Sequence, residues 1–459
     1  MKRMNKVAKR AGAVVLLALL LVAGLAFFVT EFLIKASDWS VFPGSPHVYY
    51  AGNMGSGAVT DREGILLLDM NEGRKYSSSL NTRKSTLHWV GDRTGSISAP
   101  VVPSYSSQIA GFDLLNGLYS FDNMSGVAKL TISAKIQNVA LEALDGYKGT
   151  VAVYNYKTGE ILCAVTTPTY DPDNVPDIEN DTTGQYEGAY MNRFTQSAYT
   201  PGSIFKIVTL TAALDSIPDA QQLNFTCEGV HAYGVDQITC ENVHGTQTLK
   251  EAFCNSCNCA FAQLSELLGA ETLSEYVQRL QVTEPIQFDG LTTVTGNFQT
   301  AQEPVNLAWS AIGQYTDLVN PCRYMTLMGA IAGGGRGAEP YVVLQAGNGG
   351  QGYEAQTTYT DRLIPEETAA IVAEYMRNNV INQYGDWNFP GLSVCAKTGT
   401  AELDGDRVSN AMFAGFVTDE AYPLAFVICV EGGGYGRATC VPIASRVLAA
   451  CKEILDMEN

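Results

Sequence analysis

Thr200-Pro201-Gly202-Ser203-Ile204-Phe205-Lys206-Ile207-Val208, continuing as an apolar run to Leu214, places a serine three residues before a lysine at the entry to a helix. On a helix the i, i+3 spacing puts both side chains on one face, close enough for the amine to take the hydroxyl proton. Pro201 and Gly202 set Ser203 in the first turn, where free N–H groups and the positive dipole end favour a developing oxyanion. A neutral Lys206 at pH 7 requires a lowered pKa, which burial beside Phe205, Ile207 and Val208, or a second cation, supplies. Alone, the four-residue pattern also describes an ordinary helix with a solvated lysine, so the rest of the chain has to complete the site.

Two later segments do so. Asn255-Ser256-Cys257-Asn258-Cys259 sets a serine and an asparagine two apart, able to pass a proton and to hold a substrate amide. Cys395-Ala396-Lys397-Thr398-Gly399-Thr400-Ala401-Glu402 suits an edge strand, where the cation and hydroxyls bind a carboxylate and the glycine permits close backbone approach. In this order the three boxes resemble those of the penicillin-binding transpeptidases and serine β-lactamases, with Ser-x-x-Lys, Ser-x-Asn and Lys-Thr-Gly. The resemblance to class B penicillin-binding proteins extends to Thr150 to Asp173, Asn192-Arg193, His244-Gly245, Ile312-Gly313-Gln314 and Ala411 to Phe416, and covers residues 127 to 455. Met412 stands where that family commonly has a large aromatic, and Cys257 and Cys259 around Asn258 are unusual for it.

The resemblance implies a peptidoglycan D,D-transpeptidase. Ser203 would attack a D-Ala-D-Ala stem peptide with Lys206 as base, and Ser256 would relay the proton to the leaving amine. Asn258 would hold the peptide amide, Lys397, Thr398, Gly399 and Thr400 would bind the terminal carboxylate, and the N–H groups of Ser203 and Thr400 would form the oxyanion hole. It also implies an α+β transpeptidase fold, with a central antiparallel sheet flanked by helices and an all-helical subdomain. The partners implied are stem peptides, β-lactams as covalent inhibitors, the cytoplasmic membrane and a glycosyltransferase of the wall-synthesis complex, with no cofactor and no metal. Competing readings are a D,D-carboxypeptidase, which differs in its acceptor, and a β-lactamase, for which Glu303-Pro304-Val305-Asn306 is one residue short of Glu-x-x-x-Asn. From another class come a penicillin sensor, which needs more cytoplasmic machinery than about ten residues, and a non-catalytic scaffold, in which the boxes need not survive.

Composition agrees. A chain of 459 residues, 46% hydrophobic, is long enough for two domains with sizeable cores. The formal charge is −18 although Lys2, Arg3, Lys6, Lys9 and Arg10 all precede the first acid, Glu31, so nucleic acid is excluded as a partner. The uncharged stretch Ala11 to Thr30 has the length of a membrane-spanning helix and exceeds a signal-peptide core, although Gly24 and Ala26 would suit cleavage. With the bases held inside, everything after Lys35 lies outside the membrane. The expected layout is a basic tail at 1–10, an anchor at 11–34, a small β-containing module at 35–126 and the transpeptidase domain at 127–459. The third and second boxes have mimics: Lys157-Thr158-Gly159 reads as a hairpin turn and Ser79-Leu80-Asn81 as module surface.

None of the four histidines stands in a Gly-x-Ser-x-Gly-like setting, and His244 reads as structural, which leaves lysine as the base. Eleven cysteines, an odd number, leave at least one without an intramolecular partner. Cys254, Cys257 and Cys259 are spaced for a metal cluster but lack a second pair, so packed thiols or a Cys227–Cys240 bridge is the expectation.

Overall fold

The computed structural model describes residues 1–42, 45, 49–50, 53–71, 73–112, 114, 117, 125–348, 351–402 and 407–458. Its centre is a five-stranded antiparallel sheet in the order Val394–Ala401, Asn410–Val417, Leu424–Glu431, Lys148–Asn155, Ile161–Thr167. The strands are apolar on both faces because both are covered. Val151, Val153, Phe413, Phe426 and Ile428 point to one core, which they share with residues of the helices Ala134–Leu144 and Gly436–Glu458. Ala152, Tyr154, Met412, Ala414 and Phe416 alternate to the other, against the helix Pro321–Ala332. This is the α+β architecture with a central antiparallel sheet flanked by helices that the resemblance implies. Lys397, Thr398 and Gly399 lie on Val394–Ala401, the edge strand.

Lys157-Thr158-Gly159 is the hairpin turn between Lys148–Asn155 and Ile161–Thr167, where the Asn155 side chain accepts the N–H groups of Lys157 and Thr158. Ser79 caps the helix Leu80–Val90 by accepting the Thr82 N–H. Both mimics therefore do local structural work. Among the described residues, Lys2–Ser40 is the one helix long and apolar enough to cross a membrane, and its apolar side chains are exposed.

The N-terminal module and the body are joined by a second sheet, in the order Gln351–Glu354, Val343–Asn348, Val127–Leu130, Ala58–Thr60, Leu66–Asp69, Lys75–Tyr76. Val127–Leu130 pairs parallel with Ala58–Thr60 and antiparallel with Val343–Asn348, so backbone hydrogen bonds cross the boundary expected at residue 126. A side-chain contact reinforces the joint: Leu87, Ile97, Tyr170 and Ala189 pack together, and His88 Nε2 lies 2.9 Å from the Ala189 carbonyl.

Burial holds the His88 pKa down at about 4, against about 6.5 for an unfolded histidine. The unfolded chain binds the proton more readily, so the stability from this group is fully present above pH 6.5. It is lost as the pH falls to about 4, at a cost of about 3 kcal/mol. Denaturant titrations of the parent and of His88→Leu should diverge over that window, with the parent's stability the steeper in pH; parallel curves would refute the burial of a neutral imidazole.

Candidate active site

Ser203 does not open an α-helix directly. Gly202–Ile204 forms a 3-10 turn, and the α-helix runs Lys206–Ser216, two residues beyond the expected end. The tighter turn arises where the backbone is pressed against the edge strand. Gly202 has φ +54°, and a Cβ there would sit 2.5 Å from the Thr400 carbonyl; a Cβ on Gly399 would sit 2.7 Å from the Pro201 carbonyl. Two missing side chains thus let the turn and the strand touch backbone to backbone, which sets Ser203 beside Thr400. The Tyr324 hydroxyl, buried on the helix behind the sheet, donates to the Ile204 carbonyl at 2.7 Å and fixes the turn from below.

The second box is the junction between the helices Leu249–Cys254 and Asn258–Leu268. Ser256 has φ +53°, a left-handed conformation uncommon outside glycine, and it turns the chain so that both its carbonyl and its hydroxyl face Lys206. Asn258 follows at the start of the second helix. Its side-chain oxygen accepts from Lys206 Nζ at 2.7 Å while its amide donates to the Thr239 carbonyl at 3.0 Å.

Lys206 is fully buried, and its Nζ has four oxygen neighbours: Ser203 Oγ at 3.0 Å, Ser256 O at 2.6 Å, Ser256 Oγ at 3.3 Å and Asn258 Oδ1 at 2.7 Å. Lys397, equally buried, donates to Ser256 Oγ at 2.9 Å and to the Thr398 carbonyl at 3.0 Å. Ser256 therefore bridges two ammonium groups. Burial lowers the Lys206 pKa to about 8, and burial followed by the charge of Lys206 pushes Lys397 well below its ordinary value. The chain Ser203–Lys206–Ser256–Lys397 can move a proton from the first hydroxyl to the second.

These residues stand at a cleft of about 390 Å³ whose wall includes Ser203, Ser256, Asn258, Thr398 and Thr400. Lys206 and Lys397 lie behind that wall, so Lys397 touches the cleft through Ser256 and the strand rather than directly. The wall also includes Trp309, Tyr384 and Arg437, which the sequence reading did not single out, along with Cys240 and His244. Tyr384 accepts from both the Thr398 N–H and the Thr398 hydroxyl, each at 3.1 Å, so it satisfies the outward face of the edge strand. No motif marks it; its position follows from a tertiary contact. Glu303 and Asn306 are not in the cleft wall.

Of the two expected arrangements of the cysteines, packed thiols are the one present. All eleven are free, so Cys227 and Cys240 form no bridge, and the group that converges is Cys227, Cys240, His244 and Cys257, without Cys254 or Cys259.

Residues 149–449 match the family model for the penicillin-binding protein transpeptidase domain. The chain is 26% identical over 389 residues to the peptidoglycan D,D-transpeptidase PbpA of Mycobacterium tuberculosis, covering 76% of this chain and 77% of that relative. The D,D-transpeptidase domain of a peptidoglycan glycosyltransferase from Eggerthella lenta superposes with a TM-score of 0.73 at 25% identity, covering 88% of this chain and 99% of the other. The penicillin G acyl-enzyme complex of penicillin-binding protein A from M. tuberculosis gives 0.73 at 23% identity, covering 87% and 99%.

Replacing Tyr384 with phenylalanine leaves two Thr398 donors without their acceptor. The expected result is a loss of about 1–3 kcal/mol of stability and slower reaction of Ser203 with an acylating agent, read from urea unfolding and stopped-flow labelling; unchanged values for both would exclude the strand-bracing role.

Proposed function

Because this chain belongs to the penicillin-binding protein transpeptidases, we propose that it cross-links peptidoglycan through a serine acyl-enzyme formed on D-Ala-D-Ala stem peptides, and that β-lactams acylate the same serine. The observation that carries this reading is the buried Lys206 Nζ, 3.0 Å from Ser203 Oγ and in contact with both polar residues of the second box. Lys206 takes the Ser203 proton as Oγ attacks the carbonyl carbon of the penultimate D-alanine. The negative charge that builds on the carbonyl oxygen is met by the N–H groups of Ser203 and Thr400, each such donor being worth roughly 10²–10³ in rate.

Collapse of this intermediate breaks the C–N bond. The proton passes from Lys206 through Ser256 to the leaving amine, D-alanine departs, and an ester on Ser203 remains. An amine from a neighbouring stem then attacks the ester, returns the proton by the same route and frees Ser203. Thr398 and Thr400 offer hydroxyls to the substrate carboxylate, and Lys397 holds Ser256 in place. Asn258, tied to both Lys206 and Thr239, orients the base and holds the peptide amide. The apolar helix anchors the enzyme with its basic end in the cytoplasm, which sets the cleft on the side where the cell wall is built. A separate glycosyltransferase supplies the glycan strands.

Labelled penicillin added to the detergent-solubilised full chain should stay on the protein, and Ser203→Ala should take up none. An unlabelled parent sinks the acyl-enzyme; rapid release of the label indicates a hydrolase instead. Since only the neutral amine accepts a proton, the acylation rate should climb about tenfold per pH unit below 8 and level off above it. A rate independent of pH between 6 and 9 would falsify Lys206 as the base.

A further inference from the structure

We propose that Cys227, Cys240, His244 and Cys257 bind a zinc ion in a closed tetrahedral site that clamps the Ser256/Asn258 box in its working position. The four ligand atoms lie within 4.8 Å of one another. His244 Nδ1 is 3.5 Å from Cys227 Sγ and 3.6 Å from Cys240 Sγ, and Cys240 Sγ is 3.9 Å from Cys257 Sγ. A tetrahedron with Zn–S near 2.3 Å and Zn–N near 2.0–2.1 Å sets its sulfur atoms about 3.8 Å apart and sulfur and nitrogen about 3.6 Å apart. These three spacings thus match those of a metal-bound set, and the remaining pairs lie within 4.8 Å. It is far from the roughly 2.05 Å of a disulfide.

The ligands come from four separate segments that meet beside the second box. Cys227 ends the strand Asn224–Cys227, Cys240 follows the strand Asp236–Thr239, and His244 precedes the strand Gly245–Thr248, which pairs with the first so that Gly245 faces Cys227. Cys257 is the N-cap of the helix Asn258–Leu268, and its sulfur accepts the Ala260 N–H at 3.4 Å, the kind of outer-shell hydrogen bond that steadies a thiolate ligand. Three thiols and one imidazole select zinc over magnesium or calcium. Four protein ligands leave no open position, so the ion is structural and takes no part in the reaction. Cys227 and Cys257 are buried, while Cys240 and His244 are part-exposed and give the ion its way in.

Cys257 stands between Ser256 and Asn258, and Thr239, which anchors the Asn258 amide, is next to Cys240. Binding of the ion, with release of three thiol protons, therefore locks the second box to the hairpin that carries Cys240. Ligand residues here are positioning residues: they act through the Ser256 and Asn258 backbone.

The full chain, purified in detergent with a phosphine reductant and no chelator, should carry one zinc per molecule by elemental analysis. Cys322→Ser, at a buried cysteine away from the cluster, should keep it, and Cys227→Ser and His244→Ala should retain less than a tenth. Should those variants fail to fold, the parent alone decides. Cobalt exchanged into it should give the intense visible bands of a tetrahedral thiolate site, and Cys227, Cys240 and Cys257 should resist alkylation until a chelator is added. Absence of metal after equimolar zinc is supplied, or a disulfide within the cluster, overturns the site. Withdrawal of the ion should slow penicillin acylation at least tenfold, and an unchanged rate overturns the clamp. Metal content is read without reference to acylation, so the site and the proposed activity fail separately.

Discussion

Two ammonium groups buried around one hydroxyl constrain everything else in this molecule. Taking a lysine out of water costs several kcal/mol unless oxygen atoms replace its hydration, and among the described residues neither Lys206 nor Lys397 has a carboxylate among its hydrogen-bond partners. Carbonyls, hydroxyls and the Asn258 amide take that place. Two aromatic faces help, with Lys206 Nζ 5.6 Å from the Phe261 ring and Lys397 Nζ 6.0 Å from that of Phe253. Those rings sit on the two helices that meet at Ser256, so one junction supplies both the bridging hydroxyl and the packing around the cations. The result is a pair of lysines whose pKa values burial lowers, which is what lets an amine act as a base.

Each box reaches the site through a different backbone device. Ser203 is carried on a 3-10 turn, Ser256 on a left-handed junction and Thr398 on an edge strand. Such local conformations persist only when the surroundings over-determine them. Gly202 and Gly399 allow the turn to be held against the strand, Tyr324 fixes it from below, and Tyr384 closes the strand's free edge. The junction at Ser256 is flanked by a short, partly exposed hairpin. A metal ion bound there supplies a covalent-strength brace where a small hairpin cannot.

Much of this was legible in the chain itself. Much of the central sheet is apolar on both faces because both are buried, so strands could be read at Val151 to Tyr154, Ile161 to Val165, Asn410 to Thr418 and Ala425 to Val430 without knowing their partners. The three boxes could be read because each joins reactive side chains that are close in sequence. Contacts between distant segments could not. Tyr384 has no local signature, and the thiol cluster was sought in Cys254-x-x-Cys257-x-Cys259, where spacing suggested it. Cys254 ends the preceding helix, and Cys259, in the first turn after Cys257, directs its Sγ towards the Ile238 carbonyl.

What the sequence by itself determined is therefore the set of reactive groups, their order and the sheet that carries the last of them, because these depend on local spacing and on a burial period that shows in the residues. Only the tertiary structure decided how those groups act. It buries both lysines behind the cleft wall, and it draws Cys227, Cys240, His244 and Cys257 from across thirty residues to a common point. Desolvation and convergence are properties of the packed chain, and no stretch of it contains them alone.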